Sequence, residues 1–362
     1  MNTRLRRCSL FSAGLLLLGV AVCAQAQVAG PDLVALKVSG ADRSAVASAT
    51  RVHRKAKAVS NADVGIVPAA GNESLSTAQA QALANFATLR SASPANAGSA
   101  PRYPGDLFNF GGATVTSAKS HNIYVNPDRG CPAPGCWGNP GRYLADLGNS
   151  DFIHVVDQYT GVGSDRRYTT GVSYTASYPA PAPAYTDDDI LAIVHAAAAR
   201  GGQSGYGHIY HVFLRPGVDE CFDSSLSTCY SPDNFNTWYF CAYHSSADFA
   251  DVGHVLYSVE PYQNVSGCWV APGTPNGRLA DSTNDTLSHE FFETVTDPDG
   301  DGWWQYLGSG MFGQEIGDEC VFLAHLGDGS SAPSYYRAGG NPYATQPEYD
   351  NSAHGCTVKP GN

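Results

Sequence analysis

Positive charge is in short supply in this 362-residue chain: 21 Lys/Arg stand against 33 Asp/Glu. From residue 101 onward the balance is 11 against 29, a net of −18. A surface that acidic repels phosphate backbones, which sets nucleic acid aside as a partner and suits the binding of cations. Long apolar runs are missing after Leu10–Val22, and that run is too short to span a bilayer, so no membrane span is expected. No CxxC pair exists to build a cysteine zinc cluster, no G-x-S-x-G marks a serine nucleophile, and no Gly-rich phosphate loop follows a strand. No internal repeat is visible. Glutamate is the scarcest acid, with 8 residues against 25 aspartates. Its distribution therefore carries information.

The chain divides by composition. Arg4, Arg6 and Arg7, the apolar run and the Ala24-Gln25-Ala26 pattern read as a signal peptide over 1–26. Residues 27–100 are rich in Ala and Ser, nearly free of aromatics, and carry a basic knot at Arg51–Lys57. They read as a low-complexity leader or a pro-segment, with one helix expected over Thr77–Leu89. Residues 101–362 are aromatic-rich and Gly-rich, a length suited to one domain. Without the signal, eight cysteines remain, an even set that in an exported chain predicts disulfides. Proximity favours 131–136 and 221–229, leaving 241, 268, 320 and 356 for longer closures.

Apolar periodicity predicts strands over Thr114–Val125, Arg167–Tyr178 and His208–Leu214, with Tyr239–His244 and His254–Val259 at or near the sheet edge. Helical spacing appears over Gly141–Tyr159 and, most strongly, over Asp187–Arg200, where acidic residues open the helix and Gly201-Gly202 stop it. The expected fold is α+β, or a three-layer α/β arrangement, with a mixed sheet and a late helix carrying the chemistry.

That helix contains His289-Glu290-Phe291-Phe292-Glu293. With 11 His and 8 Glu in the chain, chance supplies on the order of 0.005 H-E-x-x-E matches. On a helix, residues i and i+4 lie one above the other, so His289 and Glu293 can present an imidazole and a carboxylate to one cation. Glu290 is turned about 100° around the axis, placed to act on a metal-bound water as a general base. Leu287, Phe291 and Val295 would hold the opposite face in the core, and Asp281–Asp285 offers N-caps. A catalytic zinc needs a third protein ligand, here Glu315, with Asp318 behind His289 or exchanging roles with Glu315. The expected activity is a zinc-dependent peptidase acting on a peptide or protein substrate. The competing expectation is a non-catalytic cell-wall or carbohydrate-binding protein with a structural metal, presenting Trp303, Trp304, Tyr335 and Tyr336.

Asp297, Asp299 and Asp301 match the start of a calcium-binding EF-hand loop, but the twelfth position is Gly308 where a bidentate Glu belongs. A partial calcium site or a Gly-broken turn remains. His208 and His211 should point to opposite faces of their strand, and His244 and His254 read as core or surface histidines.

The run Ser288–Glu293, Thr296-Asp297-Pro298, Trp303-Trp304 and Glu315-Ile316-Gly317-Asp318-x-Cys320 resembles an exported bacterial group with an H-E-x-x-E…T-D-P…E-I-G-D-x-C signature. That group is distantly similar to the plant phosphate-induced (EXORDIUM-type) cell-wall proteins. Gly112–Asn126 resembles the family's first strand, Phe240–Ser245 its strand before the motif helix, and Gln346–Cys356 its closing strand. The resemblance implies a secreted, metallopeptidase-like protein with its site in 288–320.

Overall fold

The structure is a computed structural model, and it describes residues 33–51, 65–68, 106–234, 237–265, 268, 270, 273–305, 315–320 and 334–361. The expected signal peptide over 1–26 and the expected helix over Thr77–Leu89 lie outside the described residues.

Side-chain alternation builds the centre. In the strand Ala118–Val125, Ile123 and Val125 enter one apolar cluster while Tyr124 enters another. In His208–Phe213, Tyr210 and Val212 face the first, Ile209 and Phe213 the second. In Gly253–Glu260, Val255, Tyr257 and Val259 oppose Leu256 in the same way. A sheet apolar on both faces must be covered on both. The helix Asp187–Gly201 covers one face, and the helices Pro140–Leu147 and Arg278–Thr296 cover the other. The fold is α+β with a mixed sheet.

Among the described residues, nine strands make up that sheet. Leu33–Lys37, Ser173–Ser177, Ala118–Val125, His208–Phe213 and Gly253–Glu260 run parallel in that spatial order. Phe240–Phe249 then pairs antiparallel with Gly253–Glu260, so the strand containing His254 is internal and only its partner lies near the edge. Beyond Phe240–Phe249 lie Thr50–Arg51 and Gly65–Pro68, both antiparallel to it, with Gly65 opposite His244. Part of the leader is therefore folded into the sheet: Leu36 is buried in the core, and the short helix Gly40–Val46 packs on Asp187–Gly201.

Two predicted elements are split, each at a glycine. The pattern over Arg167–Tyr178 is two strands, Tyr168–Thr170 and Ser173–Ser177, both beside Ala118–Val125. At Gly171 a Cβ would lie 2.2 Å from the His121 ring, so the chain bends around that imidazole, whose Nδ1 lies 3.0 Å from the Val172 carbonyl. The pattern over Gly141–Tyr159 becomes Pro140–Leu147, a 3₁₀ turn Phe152–Val156 and a short helix Asp157–Thr160. There a Cβ on Gly148 would meet the Tyr168 carbonyl at 2.2 Å. The eight cysteines from Cys131 to Cys356 are all paired: 131–136, 221–229, 241–268 and 320–356. No helix among the described residues is long and apolar enough to cross a membrane.

Candidate metal centre

The motif helix runs Arg278–Thr296, starting before the caps expected from the sequence. Gly277 precedes it at φ +85°, a conformation open to glycine, and no side chain caps the end. Asp281–Asp285 lie inside the helix; Asp281 instead accepts 2.8 Å hydrogen bonds from the backbone N–H and side-chain amide of Asn276, tying the preceding loop to the first turns. Every residue from Asp281 to Thr296 is buried. Leu287, Phe291 and Val295 enter the core as expected. Three of the buried hydroxyls bond back to the helix: Thr294 to the Glu290 carbonyl at 2.6 Å, Thr296 to that of Phe292 at 3.0 Å, Ser288 to that of Asp285 at 3.0 Å. Pro298, two residues past the last turn, ends it.

His289, Glu290 and Glu293 are each 0% exposed. His289 Nε2 lies 3.0 Å from Glu293 Oε1 and 3.7 Å from Asp318 Oδ1, yet neither ring nitrogen of His289 makes a hydrogen bond. The turn carrying Asp318 fits tightly over this ring. A Cβ on Gly317 would stand 2.6 Å from His289 Nδ1, and the Asp318 N–H donates to Glu293 Oε1 at 3.1 Å.

A second imidazole joins from the sheet. Period-two alternation puts Tyr243 on one face of its strand, where its hydroxyl lies within hydrogen-bonding distance of Asp187 and Glu220. His244 and Ser246 face the motif helix. His244 Nδ1 lies 3.1 Å from Glu290 Oε2 and 3.4 Å from Glu293 Oε2; its Nε2 lies 3.7 Å from Glu315 Oε1 and 3.3 Å from the Asp297 carbonyl.

Two sets of three groups thus converge, His289/Glu293/Asp318 and His244/Glu293/Glu315, each with ligand atoms within 4.8 Å of one another. These buried groups can hold a metal ion. The structure brings all four sequence-chosen residues together but divides them differently. Asp318, expected behind His289, shares the His289 set directly, while Glu315 turns to His244. The Glu315 N–H lies 3.4 Å from Asp318 Oδ2, closing a turn that sends the two carboxylates to different imidazoles.

The electrostatics are those of an acid cluster short of cations. Burial alone would lower His289, but Glu293, Asp318 and Glu348 outweigh it and push it up to about 10. Burial works to raise Glu293, and the facing His289 and His244 bring it down to about 2. Glu315, Asp318, Glu319 and Glu348 are all held well above the ordinary carboxylate range, first by burial, against a lowering by His289 on Asp318 and Glu348. The charge of neighbouring carboxylates adds to it, Glu293 for Glu315, Asp318 and Glu348, and Asp318 for Glu319. Asp297 is raised to about 6 by burial. Oxygens of Glu293, Glu315, Asp318, Glu319 and Glu348 lack hydrogen-bond partners. Buried carboxylates of this kind normally pair or coordinate a metal.

Sequence reasoning missed His244, Glu319 and Glu348. A signal for the glutamates existed: in a chain with 8, six (260, 290, 293, 315, 319 and 348) sit in or beside this cluster. The calcium reading is not supported. Asp297 accepts the Gly302 N–H at 2.6 Å, and Asp299 accepts Ser246 at 2.6 Å and the Tyr206 hydroxyl while lying 3.2 Å from His254 Nε2. Asp297 is bonded on the cluster side to Glu315 and Asp299 to other neighbours, so the two do not converge on one point, and Gly302 packs under the turn, where a Cβ would lie 2.5 Å from the Thr296 carbonyl. His208 bonds to His121 and His211 to Ser258, so neither reaches the cluster. Of the four aromatics expected at the surface, Tyr335 is exposed and Tyr336 is buried, with its hydroxyl on that of Tyr143. Trp303 and Trp304 are half-buried, Trp303 donating to the Tyr159 carbonyl and Trp304 stacked on Phe110.

In comparisons with known proteins, no family model, no curated protein and no solved structure matched the chain.

Proposed function

We propose that the protein is an exported, zinc-dependent metallopeptidase whose site is the buried cluster around Glu293. The observation that carries this reading is the pair of unsatisfied nitrogens on His289 beside unpartnered carboxylate oxygens, all fully or nearly fully buried. Imidazole and carboxylate donors in this number suit zinc. A bound zinc ion supplies Lewis acidity toward a peptide carbonyl and makes a neighbouring water more acidic. His289 and Glu293 hold the ion, Asp318 and Glu315 contribute further oxygens, and Glu290 takes and returns a proton from its place beside, not among, the i, i+4 pair. Export accords with the signal-like N-terminus and with four disulfides, which persist in oxidising compartments. The resemblance to the exported H-E-x-x-E bacterial group supports the same reading.

Burial favours one rival, a closed structural metal site in a non-catalytic cell-wall or carbohydrate-binding protein. A structural ion uses all its positions for protein ligands, whereas catalysis requires one to open. Glu290→Gln separates the two. The peptidase reading expects metal content unchanged and hydrolysis of a mixed peptide library down by at least ~10²-fold. If wild-type protein with metal bound shows no hydrolysis, or E290Q cleaves equally well, the structural reading replaces it.

A further inference from the structure

The donors around Glu293 form two sets with one shared member. Glu293 Oε1 faces His289 Nε2 at 3.0 Å and receives the Asp318 N–H. Glu293 Oε2 turns the other way, 3.4 Å from His244 Nδ1, and has no hydrogen-bond partner. Glu315 Oε1, also buried and without a hydrogen-bond partner, lies beyond His244 Nε2 at 3.7 Å. Metal–ligand bonds of about 2.0–2.2 Å at tetrahedral angles separate ligand atoms by about 3–4 Å. The imidazole–carboxylate distances in both sets, 3.0–3.7 Å, match that spacing, and the two imidazoles approach Glu293 from its two different oxygens, as a bridging carboxylate presents them.

We propose that the cluster binds two divalent transition-metal ions bridged by the Glu293 carboxylate, one held by His289 and Asp318, the other by His244 and Glu315. This rests on the reading of the cluster as a divalent-metal site and deepens it. Paired metals about 3.5–4 Å apart, joined by an oxygen bridge, recur in hydrolytic enzymes. Each position here has three protein donors, which leaves room for further ligands. The second position also has a supporting contact. A ligating histidine usually gives its other N–H to a carboxylate, and Glu290 Oε2 stands 3.1 Å from His244 Nδ1, which leaves Nε2, 3.3 Å from the Asp297 carbonyl and 3.7 Å from Glu315, as the ligating nitrogen. Charge points the same way: Glu290, Glu293, Asp297, Glu315 and Asp318 converge on two imidazoles, and two divalent ions balance such a cluster better than one.

The test is metal stoichiometry on the full chain, loaded with excess Zn²⁺, desalted and measured by elemental analysis. Wild type should hold two ions per chain, His244→Ala and His289→Ala one each, and Glu293→Ala none, with circular dichroism confirming that the variants fold. Because a variant can fail for structural reasons, wild type is also loaded with Mn²⁺ and examined by electron paramagnetic resonance, where a bridged pair gives an exchange-coupled spectrum and isolated ions do not. One ion per chain at saturation, an uncoupled Mn²⁺ spectrum, or two ions retained in His244→Ala overturns the bridged pair while leaving a mononuclear site standing. No ion at all in wild type overturns both readings together.

Discussion

Gly317 shows how much of the site depends on one missing side chain. Its absent Cβ is what lets the 315–318 turn close over the His289 ring, since an added carbon would sit 2.6–2.8 Å from three ring atoms. Gly317→Ala must displace either the ring or the turn, and the turn carries Glu315 and Asp318. The expected result is a drop in metal affinity of about 10–100-fold, the range seen when groups behind metal ligands are disturbed, with global stability little changed. Competition with a chromophoric chelator measures it; unchanged affinity would mean the turn and the ring are not coupled. At this scale the sequence was informative where chemistry is rare. H-E-x-x-E stands out because glutamate is scarce, and i, i+4 spacing alone places His289 and Glu293 on one face. His244 was illegible because a single histidine in a strand looks the same whether it meets a core, a surface or a cluster. Only the pairing with Gly253–Glu260 and the packing of the motif helix settle which face it shows.

The elements divide the labour of positioning these side chains. The motif helix supplies three site residues, the strand Phe240–Phe249 supplies His244, and the turn 315–320 supplies the rest. That turn is held by neighbours from the C-terminal region. The Tyr349 N–H donates to the Ile316 carbonyl at 3.0 Å, the Gln346 side chain to the Gly317 carbonyl at 2.9 Å, and Cys320 is bonded to Cys356. The paired substitution Cys320→Ser/Cys356→Ser should therefore cost about 2–5 kcal/mol of stability, as loss of a native disulfide does in small domains. It should also weaken metal binding more than the pair Cys221→Ser/Cys229→Ser, which lies in a separate small sheet. Denaturation beside chelator competition on both variants checks this, and equal effects on metal would contradict it. Strand and helix identities were readable from periodicity, but their interruptions at Gly148 and Gly171 were not. Both breaks come from a backbone or ring that packs against the glycine from a distant part of the chain. The helix start was missed for a related reason: Asp281 looks like a cap but is held by Asn276.

Across the whole molecule, the two-faced sheet buries polar groups as well as apolar ones, and two of them set an acid limit. Burial lowers His211 to about 3 and His121 to about 4, in both cases by desolvating the charged imidazole. Between the unfolded value near 6.5 and these folded values the unfolded chain binds more protons. The stability these neutral histidines confer is thus complete above pH 6.5 and is lost as pH falls toward 3–4. From pH 7 to 4.5 each should account for roughly 2–3 kcal/mol, at 1.36 kcal/mol per unit. Urea denaturation should show His211→Asn with a shallower loss of stability over that range, and a slope equal to wild type would refute the assignment. The α+β class and the late placement of the site helix were legible from the order of elements. The folding of Leu33–Lys37 into the sheet was not, because five residues beside an Ala/Ser-rich stretch carry too little pattern to distinguish a strand from a linker.

On the reading proposed above, the cluster of His244, His289, Glu293, Glu315 and Asp318 is built around a divalent metal. Elemental analysis of the protein purified without chelator, followed by thermal unfolding before and after chelator treatment, tests it most directly. At least one transition-metal ion per chain is expected, with a melting temperature that falls when the ion is removed and recovers when zinc is restored. A chain that carries no such ion, takes none up, and melts at the same temperature in chelator and in zinc would contradict it.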